Sequence, residues 1–318
     1  MSKVFTSLEE AAGDFGPSAV TIGNFDGVHM GHRTLIRQTQ QIARAHGWIT
    51  GVLTFHPHPT TVVAPQRAPQ LICSLEERVR LLESAGAERV LVLPFTPEIA
   101  EMGPREFVET VLDQALNARA VVVGQNFRFG YKQLGDTATL AQLGSEFAFE
   151  PHFLAPITSR GQLVSSTAIR RHLQKGNVAR AGRLLGRCFS MSGDIVHGRG
   201  IGGKQTVPTL NIRPGPEIVP AQGIYITETQ DPADGRRWRS VTSVGTNPTF
   251  GGSELTVETF LLSPFDGRDP QRMCVRFRRW LREERTFASA EALREEIFRD
   301  VARAEEYWRR VERATHRP

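Results

Sequence analysis

Cysteine is scarce in this 318-residue sequence, and the cysteines that occur form no motif. Cys73, Cys188 and Cys274 lie far apart, are odd in number and include no Cys-x-x-Cys pair. A disulfide framework needs paired cysteines and a cysteine zinc site needs closely spaced ones, so this pattern argues against both. We expect three buried thiols that form no structural bridge.

Long hydrophobic runs are absent as well. No apolar stretch of the sequence approaches the roughly 20 residues that a membrane-spanning helix needs. Residues 1–15 carry acidic side chains and lack the apolar core of a secretory signal. We therefore expect a cytoplasmic protein without a membrane partner. The hydrophobic fraction of 40% and the length suffice for two globular domains, each with a buried core.

Positive charge is in excess, but it does not form a block. The net charge is +5, yet the arginines of residues 268–317 alternate with Glu and Asp throughout. Such interleaving is typical of a solvated, ion-paired helix rather than of a phosphate-binding stripe. We expect no nucleic-acid partner. The alternative, a basic RNA-binding protein built on an ATP-binding fold, would show salt-sensitive RNA binding.

The most informative segment is the loop Gly23-Asn24-Phe25-Asp26-Gly27-Val28-His29-Met30-Gly31-His32, which follows an apolar strand and leads into a helix. This arrangement gathers backbone N–H groups and the positive end of the helix dipole at one point, where a phosphate can bind. His29 and His32 fall on one side of the first helical turn, so both rings can reach one polyphosphate. The candidate site also includes Gly23, Phe25, Asp26 and Gly31. The alternative is an ordinary connection whose histidines cap or pack.

Strands and helices alternate through the first 150 residues. Strands are predicted at 19–22, 49–55, 89–93 and 120–123, and helices at 34–46, 74–85 and 103–116. The alternation predicts a doubly wound α/β domain with a parallel sheet, in which ligands bind at the carboxyl ends of the strands. His56-Pro57-His58-Pro59 lies at one such end, either as a ligand contact or as a rigid turn.

Two further segments carry candidate binding residues. After the fourth strand, Asn126, Phe127 and Arg128 lie between two glycines. An amide and aromatic faces suit a flat heterocycle, although the rings alternatively fill the core of the loop itself. Residues 165–171 open another helix, whose hydroxyls and free N–H groups form a second anion site or serve as caps alone. The candidate residues of this second anion site are Ser166, Thr167 and Arg170.

The pattern changes after residue 186 to short β-like runs separated by Gly and Pro. These runs predict a small antiparallel β-barrel. A final helix at 289–311 has Leu293, Ile297, Val301 and Trp308 on one face and should cover the barrel. We therefore predict two domains, residues 1–186 and 187–318.

Residues 198–204 match the dinucleotide pattern G-x-G-x-x-G and most of a P-loop. Both motifs require a helix directly afterwards, but Val207-Pro208 and the β-like run that follows exclude one. What remains is a glycine-rich flap that can cover phosphates, with Gly203 and Lys204 as its candidate binding residues.

Polar residues in two of the barrel strands form a second candidate site. Thr209 and Asn211 are two residues apart on an extended segment, so they can share one hard metal ion with ATP oxygens. Glu258 lies within the apolar run 257–262, where a buried carboxylate without a partner would be unfavourable. Glu258 is therefore either ion-paired or a general base.

Together these motifs resemble the bacterial riboflavin kinase/FMN adenylyltransferase family over nearly the whole chain. The matching segments are residues 23–32, 55–59, 124–130, 165–170, 208–211, 244–252 and 257–258. The resemblance implies two reactions: riboflavin and ATP give FMN, and FMN and a second ATP give FAD and pyrophosphate. It also implies that riboflavin, FMN and ATP are the small-molecule partners and that Mg²⁺ is the metal ion. We expect a monomer or a weak homo-oligomer.

By this resemblance the N-terminal domain is an HxGH adenylyltransferase, in which the FMN phosphate attacks the α-phosphorus of ATP directly. His29 and His32 would stabilise the transferring phosphate, and Asn126 would orient the nucleotide or flavin. The leaving pyrophosphate, with magnesium, would be held by Ser166, Thr167 and Arg170.

The barrel is, by the same resemblance, the kinase. Thr209 and Asn211 would hold magnesium and ATP, and Glu258 would take the proton of the ribityl 5′-hydroxyl. The sequence departs from the family pattern at Gln205-Thr206-Val207, Leu210, Phe260 and Ser263. We expect kinase activity with altered flap packing or flavin affinity. The alternatives are an adenylyltransferase with a non-catalytic flavin-binding or regulatory barrel, and a nucleotidyltransferase for another phosphorylated acceptor.

Overall fold

The computed structural model of the chain describes residues 2–196, 209–249, 252–264 and 270–315. It divides into two compact units, which we call the first unit (Met1–Ser166) and the second unit (Thr167–Pro318). This division precedes residue 186, because the helices at 166–173 and 178–185 are grouped with the barrel. The predicted domain boundary between residues 186 and 187 stays a prediction.

The described part of the first unit contains a six-stranded sheet in which all paired strands are parallel. The order across the sheet is β1-β4-β3-β2-β5-β6, and the predicted doubly wound fold is confirmed. A short antiparallel hairpin, β7 and β8, follows the sheet. The strands are β1 (Lys3–Phe5), β2 (Ser18–Ile22), β3 (Ile49–His56), β4 (Arg89–Pro94), β5 (Ala118–Gly124), β6 (Glu150–Leu154), β7 (Thr158–Ser159) and β8 (Gln162–Leu163).

Helices cover both faces of this sheet. Successive residues of β3 show why: Leu53 packs into one buried apolar cluster and Val52 into another, on the opposite face. The helix predicted at 103–116 begins as α6 and continues as a π-helix over Val108–Ala115. The helices are α1 (Leu8–Ala11), α2 (Met30–His46), α3 (Pro59–Val63), α4 (Leu75–Ser84), α5 (Pro97–Glu101), α6 (Pro104–Phe107) and α7 (Thr137–Glu146).

The second unit contains a closed barrel, and the predicted antiparallel fold is confirmed. Its strand order is β10-β13-β12-β11-β14-β9, with antiparallel pairing between neighbours. The strands are β9 (Phe189–Val196), β10 (Thr209–Pro214), β11 (Gly223–Gln230), β12 (Arg237–Thr249), β13 (Gly252–Leu261) and β14 (Arg272–Arg282). The helices are α8 (Ser166–Leu173), α9 (Val178–Leu185) and α10 (Ala290–Thr315).

Hydroxyl groups form a connected chain inside the barrel. Thr229 is 2.7 Å from Ser240, Ser240 is 2.8 Å from Thr227, Thr227 is 2.7 Å from Thr242 and Thr242 is 2.9 Å from Thr259, measured between side-chain oxygens. All five side chains are fully buried. Hydrogen bonding among them satisfies polar groups that would otherwise destabilise the interior.

Helix α10 covers the outer face of the barrel, but its buried face differs from the predicted one. Trp308 packs there as predicted, whereas Leu293 is 37% exposed. Glu296 and Asp300 are buried instead, because Arg282 at the end of β14 pairs with both. Among the described helices of the chain, none is long and apolar enough to cross a membrane.

Candidate functional sites

Three of the predicted segments leave the sheet of the first unit at one edge. Residues 23–29 follow β2, which lies between β3 and β5. Residues 56–59 are at the end of β3, and residues 124–130 follow β5. The strand order changes direction at β2, since β3 and β4 lie on one side of it and β5 and β6 on the other. Doubly wound sheets form their ligand crevice at such a switch point, beyond the carboxyl ends of the strands.

Asp26 anchors the loop between β2 and α2. Its fully buried carboxylate accepts hydrogen bonds from the backbone N–H of Ile72 at 2.9 and 3.1 Å, and from that of Cys73 at 3.4 Å. Its backbone carbonyl accepts a hydrogen bond of 3.0 Å from the Ser166 hydroxyl. These contacts give Asp26 and Ser166 a role in holding the loop, which sequence reasoning did not assign to them.

The same loop has an unusual backbone. Phe25 and Val28 have positive φ angles of 48° and 36°, in the region that side chains with a Cβ rarely adopt. Gly27, with φ of 79°, packs so closely that a Cβ would lie 2.9 Å from Ile72. Such a conformation persists only where the surrounding packing enforces it, and it is frequent at ligand-binding sites. The loop is therefore held in one shape before any ligand arrives.

His29 and His32 are stacked on each other at the start of α2. Their ring centroids are 3.6 Å apart and the ring planes differ by 15°. The helix begins at Met30, earlier than predicted, because His29 caps it: Nδ1 accepts a hydrogen bond of 3.2 Å from the His32 backbone N–H. The proton of a neutral His29 ring is therefore on Nε2, which acts as a donor. At Gly31 a Cβ would lie 3.1 Å from His29 Cε1, so a side chain there would press on the stacked pair.

His32 lies in an environment that disfavours its charged form. Burial lowers the pKa of His32 well below its ordinary value, and the neighbouring His29 and Arg78 lower it further. The Phe25 ring packs edge-on against it, with centroids 5.0 Å apart. Nδ1 of His32 is buried and makes no hydrogen bond to any described residue. The ring is therefore held by its stacking on His29 and by the Phe25 edge rather than by a hydrogen bond at Nδ1.

The loop after β5 divides between core and surface. Phe127 stacks on Phe129, with centroids 5.5 Å apart, and Phe129 is buried in the core. Phe129 therefore fills the core of the loop, whereas Phe127 is half-buried and its contact with flavin or nucleotide stays a prediction. Arg128 pairs with Asp136 at 3.3 Å. Asn126 remains exposed, close to the carboxyl end of β5.

The other residues that were predicted to bind phosphate do not belong to the loop of residues 23–32. Thr167 is exposed, and Arg170 lies further along α8 and is half-buried; both belong to the second unit. Gly203 and Lys204 lie outside the described residues, as does the rest of the predicted glycine-rich segment through residue 208.

Asn211 and Glu258 are direct neighbours across two strands of the barrel. The pairing of β10 with β13 sets Asn211 opposite Glu258 and Thr209 opposite Phe260. Residues that face each other in this way share one side of the sheet, with Cβ atoms about 4.5–5.5 Å apart. Val257 is buried, whereas Glu258 is half-buried on the other side of the strand. The predicted kinase base and a predicted metal ligand therefore lie on the same face.

A second carboxylate, Glu284, lies near Glu258. Burial raises the pKa of Glu284, the negative charge of Glu258 raises it further, and Arg282 opposes both effects. The Glu284 carboxylate packs so closely over Gly245 of β12 that a Cβ there would collide with it. No ion pair of Glu258 is formed with another described residue, and its role as a general base or as an ion-pair partner stays a prediction. Sequence reasoning missed Glu284, whose only local signal is a pair of acids directly after a strand.

Comparison with protein families divides the chain into two matched regions. A family model described as FAD synthetase matches residues 13–168. A second family model, described as riboflavin kinase, matches residues 185–308. The region that matches riboflavin kinase contains the whole barrel and most of α10.

Relatives resemble the chain over almost its full length. The bifunctional riboflavin kinase/FMN adenylyltransferase of Escherichia coli (strain K12) is 33% identical over 293 residues, which are 91% of this chain and 92% of the relative. The bifunctional riboflavin kinase/FMN adenylyltransferase of Pseudomonas fluorescens is 33% identical over 285 residues, which are 89% of this chain and 91% of the relative. A crystal structure described as a macrolide-efflux protein from Streptococcus pneumoniae matches with a TM-score of 0.83 and 27% identity, covering 94% of this chain and 97% of that one.

Proposed function

Because the chain belongs to the bifunctional riboflavin kinase/FMN adenylyltransferase family, and so converts riboflavin to FMN and FMN to FAD, we propose that these reactions occur at the two sites described above. Adenylylation takes place at the loop of residues 23–32, and phosphorylation at the face shared by β10 and β13. The alternative of a non-catalytic barrel is not supported, because the riboflavin kinase model matches that region.

The stacked histidine pair carries the proposal for adenylylation. An oxygen of the FMN phosphate forms a bond to the α-phosphorus of ATP, and the bond from that phosphorus to the pyrophosphate breaks. No protein nucleophile is needed, so catalysis consists of positioning and charge stabilisation. His29 Nε2 donates to an oxygen of the transferring group, and the His32 ring stacked on it lies beside the same group. The strained, anchored loop keeps both rings in place before substrates bind.

The leaving pyrophosphate is proposed to bind at the start of α8. Ser166, Thr167 and Arg170 bring hydroxyl and guanidinium groups to a helix N-terminus, whose dipole favours an anion. Asn126, exposed beside the carboxyl end of β5, is proposed to orient the nucleotide or flavin.

The juxtaposition of Asn211 and Glu258 carries the proposal for phosphorylation. Glu258 accepts the proton of the ribityl 5′-hydroxyl as that oxygen attacks the γ-phosphorus of ATP. The half-buried Glu258 carboxylate faces Asn211 across the two strands, and this placement supports its role as the base. The departures from the family pattern at Phe260 and Ser263 alter the surroundings of this site. They leave Glu258 paired in register with Asn211.

The oxygen donors at this face suit Mg²⁺, which binds through one or two protein oxygens together with substrate phosphates. Thr209 and Asn211 are proposed to hold it. Among the described residues no group of three or more His, Cys, Asp or Glu side chains could hold a metal ion, so a dedicated all-protein cage is not observed there. When bound with ATP, magnesium neutralises charge on the phosphates.

Two variants test the assignment. The purified chain is incubated with ATP and magnesium, and either riboflavin or FMN, and the flavins are separated by chromatography. Combined His29→Ala and His32→Ala substitutions should abolish FAD formation and leave FMN formation intact. Glu258→Gln should do the reverse. FAD formation retained by the double variant, or a normal riboflavin-to-FMN rate in Glu258→Gln, would refute the corresponding role.

A further inference from the structure

Arg78 in α4 is a fully buried arginine without an acidic partner. Its Nη1 donates a hydrogen bond of 2.9 Å to the Phe55 carbonyl and lies 3.5 Å from the Thr54 hydroxyl. Nε and Nη2 are buried and make no hydrogen bond to any described residue. No carboxylate lies within ion-pair distance of the guanidinium in the described parts of the chain. Most of this group's hydrogen-bonding capacity is therefore unused.

Such an arrangement is unfavourable for the fold alone. Arginine stays protonated inside proteins, and a buried cation without a counter-ion or a full set of acceptors destabilises the folded state. Perturbed ionisable groups concentrate at functional sites, so a buried charge without a counter-ion points to a ligand or a reacting group nearby. The contacts of Arg78 show which part of the molecule its charge acts on.

Arg78 is connected to the loop of residues 23–32 through Thr54. The Thr54 hydroxyl, which Arg78 approaches, donates a hydrogen bond of 3.1 Å to the Asn24 carbonyl of that loop. Arg78 also acts electrostatically on His32, and on His56 at the end of β3. Its charge is thus directed towards the carboxyl edge of the sheet, where polar groups of the loop are gathered.

We propose that Arg78 is a positioning residue for adenylylation, whose buried charge acts through the Thr54–Asn24 contact and through His32 to favour the anionic substrates at the loop. This inference rests on the proposed function of the loop. The guanidinium is buried and does not itself touch the phosphates. The negative charge of the bound phosphates provides the compensation that the protein does not supply.

The protonation of His32 distinguishes this role from a purely structural one, because a purely structural role of Arg78 would not change the pH profile. The titratable and charged groups that act on the His32 ring are His29 on the same loop and Arg78 on α4. Removing the Arg78 charge raises the pKa of His32 towards its ordinary value. The acid limb of the adenylylation pH profile should then move to higher pH.

The test compares full-length variants. Arg78→Gln removes the charge and keeps a donor for the Phe55 carbonyl, whereas Arg78→Lys keeps the charge. Arg80→Gln is the matched control, because Arg80 lies on the exposed side of the same helix and pairs with Glu77 at 2.7 Å. FAD formation from FMN is measured against pH, with KM for ATP and FMN. Riboflavin phosphorylation is measured in the same preparations.

We expect Arg78→Gln to lower kcat/KM for FAD formation by roughly tenfold, mainly through a higher KM. The acid limb of its pH profile should lie at higher pH than that of the wild type. Arg78→Lys should retain the wild-type acid limb. Arg80→Gln should match the wild type in both reactions. Riboflavin phosphorylation should be unchanged in all three variants.

Two results would overturn the inference. One is an Arg78→Gln enzyme with wild-type kcat/KM and acid limb, and the other is an Arg78→Lys enzyme whose limb is displaced as far as that of Arg78→Gln. If thermal unfolding shows that Arg78→Gln does not fold, Arg78→Lys decides alone: a wild-type limb supports the inference and a displaced limb overturns it. FAD formation by the His29 and His32 double variant refutes the proposed function instead.

Discussion

Asp300 in α10 provides a direct test of what holds this helix against the barrel. Its carboxylate accepts hydrogen bonds from Arg282 Nε at 3.0 and 3.2 Å and from Nη2 at 2.7 Å. The two side chains are only 3% and 9% exposed. Asp300→Ala removes this partner and leaves the Arg282 guanidinium buried.

Breaking a buried ion pair in this way destabilises proteins by about 3–5 kcal/mol. Glu296 remains 3.5 Å from Arg282 and compensates part of the charge, so we expect the lower end of that range, about 3 kcal/mol. Replacing the pair together, as Arg282→Met with Asp300→Leu, removes both charges and leaves Glu296 paired with Arg299, so this double variant should lose less stability than Asp300→Ala.

Urea unfolding followed by tryptophan fluorescence measures this effect. Trp238, Trp280 and Trp308 all belong to the second unit, so fluorescence reports mainly on its unfolding. Glu306→Ala is the control, because Glu306 forms a surface pair with Arg310 on the same helix and should change stability by less than about 0.5 kcal/mol. A loss below about 1 kcal/mol for Asp300→Ala would show that the buried pair does not anchor the helix.

Three further outcomes follow from the loop and the barrel. Gly31→Ala should lower kcat for FAD formation by roughly tenfold without affecting riboflavin phosphorylation, because the new Cβ displaces the His29 ring; an unchanged kcat would contradict the stacked geometry. Asp26→Asn should destabilise the first unit by about 1–3 kcal/mol in urea unfolding, since a buried carboxylate that accepts from Ile72 is replaced by an amide. The pKa of Glu284 is raised in the folded state, so the stability it contributes in acid is lost as the pH rises through that pKa. Glu284→Gln should therefore flatten the pH dependence of the urea midpoint of the second unit, and an unchanged slope would contradict this.

Local signals were sufficient to predict the loop and its helix. An apolar strand, a glycine-rich turn and a histidine at a helix start are all encoded by adjacent residues, and β2, the loop and α2 follow in that order. The stacking of His29 on His32 was not predictable, because it depends on His29 acting as the cap rather than as part of the helix. The strands β1 and β6 were missed, since edge strands are short or polar and lack the apolar runs of central strands.

Long-range partners explain the other differences. The buried face of α10 contains Glu296 and Asp300, which a hydrophobic pattern assigns to solvent until Arg282 is known to lie opposite. Arg78 occupies a core position in α4 that the amphipathic pattern would give to an apolar residue. Both cases involve charges whose burial depends on groups distant in sequence, so no local pattern contains the information.

The hydroxyl chain inside the barrel constrains how this protein can change over evolution. Five side chains share four hydrogen bonds, and each interior member serves two neighbours. Replacing Thr242 alone with valine would leave the hydroxyls of Thr227 and Thr259 with fewer partners, so a single step towards an apolar interior passes through a less stable protein. Exchange is favourable only when several positions change together. We expect relatives to carry either the hydroxyl set or a complete apolar set at these positions, with few intermediates between the two.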